Sequence, residues 1–222
     1  MADEWASHAE RQAERYRDGE RRLPDLADPD SRQRQLTRMG NAAGGAGFAL
    51  LMAGRAEEAA EWLHRAAKRY RESIVDAPLG SWGRPIGAMK ALVIAGDWAG
   101  AEEAARWARE LGAPEAESPI GRYAGSLALL VVGRDAEARP VAASLRGRDD
   151  FPDDVADALT ALASADRPAY VSAVESVLDS FESRDEYLED IPVADTVLVL
   201  QALAARRELG AELSSPLLPR RV

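Results

Sequence analysis

The strongest constraint on this chain is a helical pattern that recurs four times along it. The segments are Phe48 to Tyr70, Lys90 to Gly112, Leu127 to Arg148 and Thr160 to Phe181. Each joins two amphipathic stretches through a short turn, and the turn residues are Gly54, Gly96, Gly133 and Asp166. Glycine and aspartate tolerate the left-handed backbone that ends a helix. Their spacings of 42, 37 and 33 residues are typical of helical-hairpin repeats.

Apolar residues recur at fixed distances from these turns. A leucine lies four residues before each one, at Leu50, Leu92, Leu129 and Leu162. Small residues occur five and eight residues before each turn, which lets two helices approach closely. After the turn, the second helix carries an apolar seam that begins at Ala59, Ala101, Ala138 and Val171. The pattern therefore predicts four packed helix pairs.

Composition agrees with an all-α fold and excludes several function classes. The chain has 44 alanines and 5 isoleucines, and alanine is the best intrinsic helix former. A net charge of −10 argues against nucleic-acid binding through whole-surface attraction. Without cysteine, disulfides, thiolate metal sites and cysteine nucleophiles are excluded. Only His8 and His64 offer imidazoles, so we expect no metal and no cofactor.

We expect a single domain over residues 1–222. It would comprise N-terminal helices (1–40), four hairpin repeats (41–183) and a closing helix with a tail (193–219). Ser31 is the expected N-cap of the helix that enters the first repeat, and Gly210 is expected to stop the closing helix. Pro140 is expected to delay or kink its helix. We find no signal peptide or membrane-spanning segment and expect a cytoplasmic protein.

The repeats at residues 40–183 resemble the tetratricopeptide repeat in their turn glycine, their small residues in the first helix and their alanines in the second. Most of that family's aromatic positions hold alanine or leucine here. The resemblance implies an α-solenoid, a stack of about four hairpins between terminal capping helices. In such a stack the exposed positions of the concave side would include Lys90, Val93, Leu127 and Leu130.

Three groups of residues suggest chemistry, and each has a simpler interpretation. Glu61 and His64 have the Glu-x-x-His spacing of di-iron bundles, but no second copy exists, which favours a surface pair. A glycine cluster lacks the Gly-Lys-Ser/Thr end of a phosphate loop, which favours close helix packing; it is Gly40, Gly44, Gly45 and Gly47. Carboxylates near residues 149–154 suit the start of the following helix, although any two of them suggest a hydrolase pair.

Two connecting loops and an acidic connector are candidate partner-binding sites. Tryptophan beside arginine is typical of interface hot spots, and the first loop carries Trp82 and Arg84. Either Trp82 contacts a partner or its indole folds back into the core. Arg122 and Tyr123 occupy the related loop, so one patch is predicted from the four residues. Lys90, on the concave side, is a further candidate. The connector before the last helix is either a solvated surface or an electrostatic footprint for a basic partner, through Glu186, Glu189 and Asp190.

Residues 159–219 resemble the C-terminal half of the immunity protein 49 family, all-helical antidotes of polymorphic toxin systems. The resemblance rests on a hairpin turn, an apolar helix with its stop and a short tail. The matching residues are Ala161, Leu162 and Asp166 for the turn, Leu203, Ala204, Leu209 and Gly210 for the helix end, and Ser215, Leu218 and Pro219 for the tail. It implies a protein that neutralises a toxin encoded by an adjacent gene.

The sequence thus favours a non-enzymatic protein-binding module, most specifically an immunity protein that occludes a basic toxin. A tetratricopeptide-like scaffold that binds a peptide or protein in its concave groove is the alternative. An enzyme that uses paired carboxylates in that groove is a third hypothesis. No nucleic-acid or membrane partner is expected.

Overall fold

The computed structural model describes residues 2–220, apart from the Ala2 side chain. Over this range the chain forms helices and no β-strand, so the all-α prediction is confirmed. The α-helices are α1 (Ala2–Arg22), α2 (Pro29–Met52), α3 (Ala56–Ser73), α4 (Gly83–Ile94), α5 (Trp98–Glu110), α6 (Pro119–Val131), α7 (Asp135–Ala143), α8 (Asp153–Ala163), α9 (Arg167–Glu182) and α10 (Asp195–Ala205). Single-turn 3₁₀ helices occur at Leu23–Asp25, Ala113–Glu115 and Leu188–Asp190.

The contacts within the chain divide it into two compact units. Unit 1 contains the residues up to Asp97, the connector 185–193 and the tail from Ser215. Unit 2 contains residues 98–184 and 194–214. The connector thus belongs to unit 1, although the helices before and after it, α9 and α10, belong to unit 2. A single domain over the whole chain stays a prediction.

In unit 1, α2 packs on both α1 and α3, and α4 packs on α3 and contacts α2. The glycines of α2 make this packing close. A Cβ on Gly47 would lie 2.7 Å from Leu63 Cγ, and one on Gly40 would lie 2.8 Å from the Tyr70 ring. Both facing side chains belong to α3. The close-packing interpretation is therefore confirmed for Gly40 and Gly47, whereas a Cβ on Gly44 would meet only Ala66 Cβ at 4.0 Å.

In unit 2, the helices from α5 to α9 each pack on the next one, and α6 also contacts α8. α10 contacts α8 and α9. Its end is held by Arg207, whose guanidinium donates to the Leu130 carbonyl at 2.7 Å and pairs with Asp135. Only 12% of the Arg207 side chain is exposed, so this ion pair links α10 to the turn between α6 and α7.

The first three predicted turns have the expected left-handed residue. φ is +77° at Gly54, +75° at Gly96 and +72° at Gly133. In each turn, the N–H of the following residue donates to the carbonyl five residues earlier, which satisfies a carbonyl at the end of the helix. These bonds are Arg55 to Leu50 (2.9 Å), Asp97 to Leu92 (3.0 Å) and Arg134 to Leu129 (2.8 Å).

The fourth turn corrects the predicted alignment by one residue. Ala165, with φ of +52°, takes the glycine position, and φ of Asp166 is −92°. The Asp166 N–H donates to the Ala161 carbonyl at 3.0 Å, the same bond as in the other turns. Its carboxylate caps α9 by accepting from the Ala169 N–H at 3.1 Å. The turn residue of the fourth pair is therefore Ala165 and not Asp166. Four residues before it, where the other pairs have leucine, the fourth pair has Ala161.

The corrected alignment also identifies the inward seam of α9. Tyr170, not Val171, is equivalent to Ala59, Ala101 and Ala138, and all four residues are fully buried. The buried Tyr170 hydroxyl is satisfied because it donates to Gln201 Oε1 of α10 at 2.8 Å. Burial raises the pKa of the Tyr170 phenol far above its ordinary value. A large aromatic ring thus replaces the alanine of the other pairs.

Other predicted helix ends differ from those observed. Asp28, not Ser31, is the N-cap of α2, and hydrogen bonds from Ser31 lower the pKa of its carboxyl. α10 ends at Ala205, before Gly210, because Glu208 adopts a left-handed φ of +58° and the Leu209 N–H returns to the Ala204 carbonyl. α7 begins at Asp135 and runs through Pro140, so the expected late start is wrong.

Replacing Ala165 with glycine should raise the free energy of unfolding by about 1 kcal/mol, because glycine adopts a positive φ without the steric cost of a Cβ. Gly54→Ala should lower it by a similar amount. φ there is +77° and nothing lies within 4 Å of an added Cβ, so backbone strain acts alone. Chemical denaturation measures both changes. An A165G protein no more stable than the parent would contradict the turn assignment.

Two alanine substitutions within α2 should have opposite effects. Gly47→Ala should destabilise by about 1–3 kcal/mol, because its Cβ would lie 2.7 Å from Leu63 Cγ and 3.2 Å from the Ala59 carbonyl. Gly44→Ala should stabilise by up to about 1 kcal/mol, because its Cβ meets only Ala66 Cβ at 4.0 Å and alanine favours the helix. Thermal and denaturant unfolding compare the two. Equal changes in the free energy of unfolding for the two variants would contradict the close-packing interpretation of Gly47.

Candidate protein-binding surface

Large apolar side chains that are exposed lie mostly where one helix pair connects to the next. Among the described residues there are five: Val75 (81% exposed), Leu79 (104%), Leu111 (42%), Ile120 (45%) and Leu188 (64%). The first two belong to the loop between α3 and α4. Leu111 and Ile120 flank the connection between α5 and α6. Exposed apolar groups gathered on short segments are typical of protein-binding surfaces.

The loop between α3 and α4 is ordered by its own hydrogen bonds. The Ala77 N–H donates to the Ile74 carbonyl at 3.1 Å, and the Ser81 hydroxyl donates to the Pro78 carbonyl at 2.6 Å. Gly80 supplies a left-handed φ of +77°. Leu79 therefore projects from a defined turn.

Arg84 lies in the first turn of α4 and is held by two buried polar groups. Its Nε donates to Ser73 Oγ at 3.0 Å, and its Nη2 donates to Gln33 Oε1. Ser73 is fully buried and Gln33 is 3% exposed. The Gln33 amide is itself fixed by donating to Asp30 Oδ1 at 2.9 Å. The direction of the guanidinium is thus set by groups of α2 and α3.

No carboxylate among residues 2–220 lies within salt-bridge distance of Arg84. Both of its bonded acceptors are neutral, and burial alone lowers the pKa of its guanidinium. Trp82, which precedes α4, is half-buried, so its indole is neither fully exposed nor wholly within the core. We define the 75–84 surface as Val75, Leu79, Trp82 and Arg84.

The related connection in unit 2 is built differently. Arg122 is half-buried and its Nε donates to the Ala116 carbonyl at 3.0 Å. Tyr123 is only 8% exposed, and its ring lies 5.6 Å from the Phe151 ring. Its ring is therefore largely covered, and a partner-binding role of Tyr123 stays a prediction. Because Trp82 belongs to unit 1 and Arg122 to unit 2, the single patch stays a prediction.

The expected apolar positions of a concave face are not exposed. Val93 is 2% exposed, and Leu127 and Leu130 are each 1% exposed. They lie on α4 and α6, each of which contacts more than one other element of its unit, and this packing covers them. Lys90 is half-buried. The expectation of an apolar concave surface at Val93, Leu127 and Leu130 is therefore wrong.

The three acidic residues of the connector differ in their surroundings. Glu186 and Asp190 are exposed. The Glu189 carbonyl accepts from Gln12 Nε2 at 2.8 Å, and only 11% of the Glu189 side chain is exposed. Its Oε2 pairs with the Arg15 guanidinium, although the two groups lack hydrogen-bond alignment. Glu189 therefore holds the connector on α1, and the other two carboxylates face solvent.

His64 contacts two oxygen atoms. Its Nε2 lies 3.1 Å from Asp97 Oδ2 and its Nδ1 lies 2.7 Å from the Ala60 carbonyl, and because both oxygens are acceptors, the ring is the donor in each hydrogen bond that forms. No group of three potential metal ligands occurs within residues 2–220. A shallow groove of about 480 Å³ lies between α8 and α9, where Asp157 pairs with Arg146 at 2.5 Å. Its polar lining contains no histidine.

Sequence reasoning missed Val75 and Leu79. The available signal was their position: two large apolar residues stand in a short segment that Pro78 and Gly80 keep from being helical. Within the described chain, no helix combines the length and apolar character needed to cross a membrane. Comparisons with protein-family models, curated proteins and solved structures found no match.

Glu189→Ala should release the connector, whereas Glu186→Ala should not. Loss of the Arg15 contact is expected to lower the free energy of unfolding by about 1 kcal/mol and to speed amide hydrogen exchange across residues 185–193. Glu186 is exposed, so its removal should change stability by less than about 0.5 kcal/mol. Exchange rates that respond equally to both changes would show that Glu189 does not hold the connector.

Proposed function

We propose that this chain is a non-enzymatic protein that binds another protein, and most specifically that it is a toxin-neutralising immunity protein. The observation that carries the proposal is the placement of exposed apolar side chains. Four of the five lie in or beside two of the connections between helix pairs, those from α3 to α4 and from α5 to α6. Leu79, completely exposed on a hydrogen-bonded turn, has no packing role within unit 1.

The resemblance of residues 159–219 to the immunity protein 49 family supports the narrower proposal. The residues that carry it are structural in this fold. Asp166 caps α9 and Leu203 is fully buried in α10. These residues preserve a helical framework, and the binding residues lie elsewhere. Recognition of a toxin is therefore assigned to the connecting loops and the exposed carboxylates.

Charge supports a mechanism in two stages. A net charge of −10 and the exposed Glu186 and Asp190 accelerate encounter with a basic toxin by long-range attraction. Short-range contacts at the connecting loops then hold the toxin and cover its working surface. No chemical step is required of the immunity protein.

A scaffold related to the tetratricopeptide repeat is the second candidate. Its support is the turn geometry, which recurs four times with the same backbone hydrogen bond. Contacts between next-but-one helices, α2 with α4 in unit 1 and α6 with α8 in unit 2, are also typical of stacked hairpins. Such a scaffold would bind a peptide without any toxin.

Co-expression with the product of the adjacent gene separates the two functions. An immunity protein should restore growth to cells that this product otherwise arrests, and the purified proteins should form a stoichiometric complex. Because steering is electrostatic, the association rate should fall several-fold as the salt concentration rises. A neighbouring product that neither arrests growth nor binds would contradict the immunity function and leave the scaffold.

A further inference from the structure

We propose that the 75–84 surface enters an apolar recess on the partner protein, and that Arg84 pairs there with a carboxylate at the edge of the recess. This inference rests on the proposed protein-binding function. It assigns the chemistry of the partner: a folded protein with a concave apolar site and an acidic side chain beside it.

The exposure of the loop favours a concave partner. Leu79 is 104% exposed and Val75 is 81% exposed, so neither side chain lies in a groove of this chain. The loop is nevertheless ordered, because Ser81 and Ala77 hydrogen-bond to its carbonyls. An ordered, projecting apolar turn buries its side chains most completely by insertion into a recess.

The hydrogen bonding of Arg84 leaves N–H groups that an anion from a partner can use. Ser73 and Gln33 use only two of its N–H groups and carry no charge, so the other N–H groups of the guanidinium keep their donor capacity. Arg69 provides a contrast within unit 1. Only 14% of its side chain is exposed, whereas Arg84 is half-buried, and Arg69 pairs with Glu20 at 2.9 Å and Glu72 at 2.6 Å.

Arg38 and Arg122 also form no salt bridge among the residues that the structure describes. Arg84 differs from them because buried side chains of two other helices orient its guanidinium, and both of these side chains are neutral. A carboxylate offered by a partner would form charge-assisted hydrogen bonds to a guanidinium whose direction is already set, with little loss of side-chain entropy.

The surroundings favour a protein carboxylate over a polyanion. Asp76 lies in the same loop, and Asp30 lies behind Gln33. These charges disfavour a nucleic-acid backbone, which would bring many phosphates to a surface with one guanidinium. A single carboxylate flanked by apolar side chains matches the 75–84 surface.

The test measures binding of the purified product of the adjacent gene to the full chain and its variants. Arg84→Gln should weaken the complex about 10- to 100-fold, because a charge-assisted hydrogen bond is lost. Arg84→Lys should recover part of the loss, since it keeps the charge without the planar fork. Leu79→Ala should weaken binding roughly 10-fold and leaves the contacts of Arg84 intact.

Arg38→Gln is the matched control, since Arg38 is an exposed arginine of unit 1 on α2 outside the 75–84 surface. It should change the affinity by less than about 2-fold. Circular dichroism and thermal unfolding of each variant separate misfolding from lost contacts. The acidic side chains of the partner are then replaced one at a time. One replacement should weaken binding to the unaltered chain but not weaken binding to the Arg84→Gln protein any further, which is the result that a double-mutant cycle gives for two residues in contact.

A complex that forms with unchanged affinity in both the Arg84→Gln and Leu79→Ala proteins would overturn this inference and leave the proposed function standing. Failure of the neighbouring product to bind the unaltered chain would instead overturn the immunity function, and this inference with it. A third measurement uses a random-sequence duplex DNA probe. If the unaltered chain binds this probe and the Arg84→Gln and Leu79→Ala proteins bind it less tightly, the surface binds nucleic acid, and the carboxylate assignment is wrong.

Discussion

The structure depends on one backbone interaction that is repeated in four turns. A residue in the left-handed conformation ends a helix, and the next N–H returns to the carbonyl five residues earlier. The second helix then begins at once, as α3 does at Ala56 and α7 does at Asp135. Because this geometry is constant, helix pairs of different length and composition present equivalent positions to their neighbours. The connections between pairs are free to vary.

Side chains that pack the core and side chains that are proposed to bind a partner therefore lie in different parts of the chain. Residues at equivalent positions of the seams are fully buried, whether alanine at Ala59 and Ala101 or tyrosine at Tyr170. The exposed apolar groups gather in the variable connections, and Arg84 is oriented there by buried groups of two other helices. A surface built in this way is rigid enough for recognition, because its supports belong to the packed helices. The proposed binding function uses the connections between helix pairs, which the packing of the helices does not bury.

Much of the architecture followed from local rules, and the departures have physical causes. Glycine at three turns predicted the left-handed conformation, and alanine spacing predicted the helix pairs. At the fourth turn, Asp166 matched the residue preference but serves as the cap of α9, so the alignment moved to Ala165. At the chain's last helix, Gly210 offered a stop, but Glu208 adopts the left-handed conformation first. Residue preferences of about 1 kcal/mol or less yield to capping bonds and packing.

The sequence by itself determined the helical class, the positions of three turns and the need for close packing around the α2 glycines, since these depend on backbone preferences and side-chain size within a few residues. Only the tertiary structure decided which polar and apolar side chains are exposed and which are already paired or packed within the chain. Glu189 contacts Arg15 across 174 positions of the chain, Tyr123 packs on Phe151, and Arg84 meets no carboxylate among residues 2–220. Whether a side chain is covered depends on residues distant in sequence, and no local pattern contains that information.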